Sequence, residues 1–136
     1  MPRLPLFFII AAAFCLLVGV CLGVLMGIQH DFHMAPVHAH LNLLGWTSLA
    51  LMGLTFRAYP QLHANPVPAV AQFALSTSSA FLFPFGIYLS IEYQAPALAI
   101  AASLVWLAGV AMFLARLVLL AAARSPRRHP ALLPAE

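Results

Sequence analysis

The chain has 136 residues, 64% of them apolar and only 7% charged, with a mean hydropathy of +1.00. Soluble domains carry roughly 25% charged residues, so a water-soluble globular domain is excluded. The net charge of +3 gathers in ARSPRRHP near the C-terminus, which suits an anionic lipid leaflet and requires no nucleic acid.

Four apolar runs, about 4–28, 38–58, 69–91 and 96–121, each approach or exceed the ~20 residues a helix needs to cross hydrocarbon. The expected fold is an all-α, integral membrane four-helix bundle over 1–123, followed by a basic, Pro-rich, disordered cytoplasmic tail over 124–136. The first run opens on Arg3 as a secretory signal does. Its apolar length of about 25 residues exceeds the ~7 to 15 of a signal core, so it reads as a helix. Gly19, Gly23 and Gly27 fall four apart on one stripe of it, which permits close approach of another helix, within the chain or from another copy. Cys15 and Cys21 lie about 120° apart around that helix and read as packing residues.

The loop QHDFHMAP leads into the second run, with Pro36 at its start, where a missing N–H costs little. Pro66 and Pro68 precede the third run and Pro96 the fourth; Pro84, inside the third, predicts a kink. All six arginines, Arg3, Arg57, Arg116, Arg124, Arg127 and Arg128, fall at one level of this topology. Positive charge favours the cytoplasm. Both termini and the loop with His63 are therefore expected inside, as is His129, and the histidine-rich loop outside, near the periplasmic face of a bacterial inner membrane. Arg57 and Arg116 read as anchors that snorkel to the headgroups.

Four of the six histidines, His30, His33, His38 and His40, lie within eleven positions. An ionisable side chain within a span is by default a functional-site hypothesis, and neutral imidazole is the commonest metal ligand. His38 and His40, two apart, diverge by about 200° and point to opposite sides of a helix. Asn42 and Trp46 continue the His38 stripe at steps of four; Asn42 is placed to orient the His38 ring. Secondary candidates are His30 and His33, which would suit one ion if the first helix ran on through the loop, Met34 as a soft ligand favouring copper, and Glu92, with Asp31 and Tyr93 near it.

PVHAHLNLLGWTSLALMGL resembles the histidine-bearing helices of subunit I of the haem-copper oxidases and nitric oxide reductases. In that family one helix carries two haem-ligating histidines separated by one residue, each facing a different haem, as His38 and His40 would here. The Pro-x-His start at 36–38 is similar to the family's low-spin haem helix, which also runs inward from an outer histidine. The resemblance implies a b-type haem (haem b) held by His38 and His40. The chain has no His-Pro-Glu segment and no adjacent histidine pair for copper, so the resemblance does not extend to oxygen reduction.

The function expected is that of a b-type cytochrome in electron transfer or redox sensing, with an unknown redox partner. A copper or zinc site built from His30, His33, His38 and His40 in a metal-handling protein is an alternative, as is a gas-binding haem sensor or oxidase-like enzyme. Subunit I of the family has twelve helices in three arcs of four, and this chain supplies one arc. A homo-oligomer, favoured as a trimer with haem at each seam, would supply His38 from one copy and His40 from the next.

Overall fold

The computed structural model describes residues 3–123; the tail expected at 124–136, with His129, lies outside the described residues. Helix α1 (Leu4–Gln29) carries Pro5 in its first turn and ends on His30, whose left-handed backbone (φ 53°) turns the chain while the Asp31 N–H caps Met26 O at 3.2 Å. A second rod spans 35–58 in three joined pieces: α2 (Ala35–His40), a π-helix (Leu41–Ser48) and α3 (Leu49–Ala58). Junction residues Leu41 (φ −57°, ψ −40°) and Ser48 (φ −69°, ψ −43°) are fully helical, so the rod passes through the π-helix unbroken.

A 3₁₀ turn (Pro60–His63) leads to α4 (Pro66–Tyr93), capped by Asn65, whose side-chain oxygen accepts from the Val67 N–H at 3.1 Å. Gln94, again left-handed (φ 54°), closes α4, and α5 (Ala97–Ala122) starts after Pro96. Helix α4 runs continuously through the buried Pro84. The rods match the four expected runs to within three residues at each end, and no strand occurs among the described residues. Helices α1, α4 and α5 are each long and apolar enough to cross a membrane; the second rod reaches comparable length only by joining segments of 6, 8 and 10 residues.

The second rod packs chiefly on α1 and also meets α4, while α1 reaches α4 directly through Phe8 on Phe73 and Phe14 on Phe81. Helix α5 packs chiefly on α4. Much of α5 is therefore exposed: Leu104, Leu107, Leu114, Val118 and Leu119 all face outward, and only Ala102 and Gly109 are buried. Among apolar lipid tails the transfer of Leu or Phe into a protein interior gains little, so shape and hydrogen bonds decide the packing. Gly86 supplies shape at the α4–α5 hairpin, where a Cβ would stand 2.5 Å from Ala99 N. Buried Gln72 supplies the hydrogen bonds, donating to Gly109 O at 2.8 Å and to Ser76 Oγ at 3.0 Å.

The best-packed core lies at the arginine end. Phe8 is fully enclosed, 5.0 Å edge-on from Phe73 and 5.2 Å from Phe56, with Leu49, Met52 and Ala69 around them. At the histidine end a cavity of about 370 Å³ opens between α1, the second rod and α4, walled by Phe14, Val18, Met34, Leu41, Phe81 and Tyr88.

Candidate functional site

His38 and His40 leave the second rod toward different neighbours. The His38 ring turns to α1, where its Nδ1 lies 2.8 Å from Gly19 O. A carbonyl can only accept, so this bond puts the ring proton on Nδ1 and leaves the lone pair on Nε2. The two glycines opposite make the seat: a Cβ on Gly23 would stand 2.8 Å from His38 Cε1, and one on Gly19 would stand 2.8 Å from Asn42 Nδ2. One turn further out, Gly27 has nothing within 4 Å of a Cβ position. Two glycines of the expected stripe thus serve packing within the chain, and the third faces open space.

Asn42 lies alongside the same ring. Its Nδ2 donates to His38 O at 2.9 Å and lies 3.5 Å from His38 Nδ1 and 3.4 Å from Nε2. The step of four brings the two side chains together. It does so at the mouth of the π-helix, where Thr47 and Ser48 hydroxyls donate to the carbonyls five residues back, Asn42 O at 3.0 Å and Leu43 O at 2.8 Å. Bonding of the i→i+5 kind is rare and concentrates at functional sites. Trp46, eight residues inward of His38, is partly buried and packs against the inner hydrophobic core.

The His40 ring faces α4, edge-on to Phe83 with 4.9 Å between centroids. Its Nδ1 lies 2.7 Å from Pro36 O, which again leaves Nε2 with the lone pair. The first turn of the rod supplies that acceptor because Pro36, lacking an N–H, sits there without cost.

The other candidates are dispersed. Helix α1 does not run on through the loop but stops at Gln29, so His30 and His33 lose the helical spacing that would let them share an ion. His33 Nε2 pairs instead with Glu92 Oε1 at 2.9 Å, while its backbone N–H donates to Asp31 Oδ1 at 2.9 Å. Met34 lines the apolar cavity. Among the described residues no three of His, Cys, Asp and Glu gather as a metal site, so the four-histidine copper or zinc cluster does not form within one chain. The physical reason is divergence: His38 is drawn to α1, His40 to α4 and His33 to Glu92.

The sequence did not reveal the π-helix, the Phe83 contact or the inward turn of Arg116. Rather than snorkelling outward, Arg116 is half-buried and donates to Pro68 O at 3.1 Å and to Leu62 O, with its guanidinium 4.9 Å above the Phe56 ring. Compared with known proteins, the chain matches no family model, no curated protein and no solved structure.

Proposed function

We propose that this chain is an integral membrane, b-type haem-binding protein that carries electrons, with His38 and His40 as iron ligands near the outer face. The observation that carries the proposal is the shared state of the two rings. Each holds its Nδ1 against a backbone carbonyl, at 2.8 Å and 2.7 Å, and leaves the Nε2 lone pair for iron, which on His38 would displace the Asn42 amide that lies 3.4 Å away. Metal-bound histidines almost always use their other ring nitrogen in this way. Gly23 seats the His38 ring, and Gly27, one turn further out on α1, has nothing within 4 Å of a Cβ position and leaves bare surface on which a flat macrocycle could lie.

When bound, haem supplies a one-electron couple, and two histidines on one iron leave no open position for oxygen. Gly19 O fixes the His38 ring, Asn42 donates to the His38 carbonyl, and Phe83 braces His40. Because the rings depart toward different helices, one chain does not offer both to a single iron. A ring of copies joining His38 of one to His40 of the next meets that need, with three copies completing twelve helices. The arginine level faces the cytoplasm and the histidine level the periplasm, in keeping with the charge distribution.

Oxidised and reduced spectra of the detergent-purified protein test the proposal. Sharp reduced α and β bands are expected, diminished by His38→Ala and by His40→Ala and unchanged by His63→Ala or His129→Ala. Full haem retention in the His38/His40 double variant overturns it.

A further inference from the structure

We infer that the arginine end of the bundle holds the phosphate of an anionic phospholipid, with Arg116 as its counter-charge. This inference rests on the membrane reading but not on haem. A pocket of about 400 Å³ opens there, walled by Gln61, Leu62, Asn65, Pro68, Arg116 and Leu119. A guanidinium has five N–H donors. Carbonyl oxygens of Leu62 and Pro68 take two of them, and the Phe56 face takes part of the charge. None of these partners is an anion. The carboxylates among the described residues, Asp31 and Glu92, both lie at the opposite end of the bundle.

The start of α4 adds to the positive potential at this pocket. Its hydrogen-bonding capacity is nearly spent, because Pro66 and Pro68 have no N–H and Asn65 takes that of Val67. The helix end therefore contributes field, and Arg116 is left to make the directed bonds. Asn65 uses its side-chain oxygen for the cap, which frees its NH₂ group as a further donor beside the amide of Gln61.

A lipid fits better than a free ion because the polar pocket continues into apolar walls. Leu120 separates it from a second hollow of about 360 Å³, walled by Tyr59, Leu117, Leu120 and Ala121, which suits an acyl chain. Basic pockets between membrane helices on the inner side are recurrent seats for anionic headgroups.

Native mass spectrometry after equilibration with phosphatidylcholine vesicles, with and without phosphatidylglycerol, reads the site directly. The wild-type chain is expected to retain phosphatidylglycerol about tenfold over phosphatidylcholine, the size of one charge-assisted contact. Arg116→Gln should bring the two lipids level, while Arg57→Gln, an exposed arginine outside this pocket, leaves the preference intact. Equal retention of both lipids by the wild-type chain, or an undiminished preference in Arg116→Gln, overturns the inference. Displacement of phosphatidylglycerol by inorganic phosphate overturns the lipid assignment. Because the wild-type preference is itself a readout, a variant that fails to fold does not suspend the test. Failure of the membrane reading would instead appear as protein extracted without detergent.

Discussion

Substituting Gly23 by alanine puts one methyl group against the ring of His38, and Gly27 provides the matched control on the same stripe. The new Cβ at Gly23 would lie 2.8 Å from Cε1 and 3.2 Å from Nδ1. Carbon atoms rest at about 3.5 Å or more, so the ring must recede by roughly 0.7 Å. That movement strains or breaks its 2.8 Å bond to Gly19 O. Overpacking of this kind costs about 1 to 3 kcal/mol, and glycine to alanine in a helix returns roughly 0.5 to 1 kcal/mol. Gly27→Ala, with open space around it, receives only the second effect. The two variants should therefore separate by about 1 to 3 kcal/mol in denaturation, with Gly27→Ala the more stable. Haem affinity should fall about 10- to 100-fold in Gly23→Ala, as it does when a ligand's orienting partner is lost. Thermal denaturation in one detergent and haem titration of the apoprotein measure both quantities. Indistinguishable behaviour of the two variants would refute the assignment of Gly23 as the seat of His38.

Asn42→Leu removes the amide that donates to His38 O at 2.9 Å; haem affinity is expected to drop about 10- to 100-fold, less than in His38→Ala, and an unchanged midpoint potential would return Asn42 to packing. Gly86→Ala drives a methyl against the Ala99 backbone and should destabilise the α4–α5 hairpin by about 1 to 3 kcal/mol, read by denaturation. Glu92→Gln removes the carboxylate charge from the His33 contact at the bundle surface, and exposed pairs are worth about 0 to 1 kcal/mol, so stability and haem content should both stay near wild type. Mass measurement in detergent should give a trimer with about one haem per chain, and a haem-binding monomer would rule out the ring of copies.

The fold was legible because each apolar run is long and the prolines at 36, 66 and 96 mark helix starts. The Asn42–His38 contact was legible for a similar reason, since a step of four holds across the α2 boundary. Trp46, four residues beyond Asn42, packs against the inner core, and the π-helix that carries it was not legible. Nothing in LNLLGWTS distinguishes i→i+5 from i→i+4 bonding, because Thr47 and Ser48 bond back to carbonyls in either form. Arg116 was misjudged for a different reason. Its position near a helix end suggests water, but the 3₁₀ turn at Pro60–His63 brings the Leu62 carbonyl within its reach. That turn is a tertiary arrangement with no periodicity to announce it.

The π-helix lets the second rod carry one residue more than an α-helix of the same total turn. Inward of Ser48 the rod is committed to the dense Phe8–Phe56 core, and any rotation there would unseat Leu49 and Met52. Outward of Leu41 the rod is committed again, through His38 on Gly19 O and His40 on Phe83. Because the wider helix turns less per residue, a single-residue deletion within 41–48 would restore an α-helical pitch and leave both imidazoles near their present bearings. The same deletion within 49–58 would swing them by roughly 100° relative to the residues inward of it, so 41–48 is the segment where this rod can change length without redirecting its histidines.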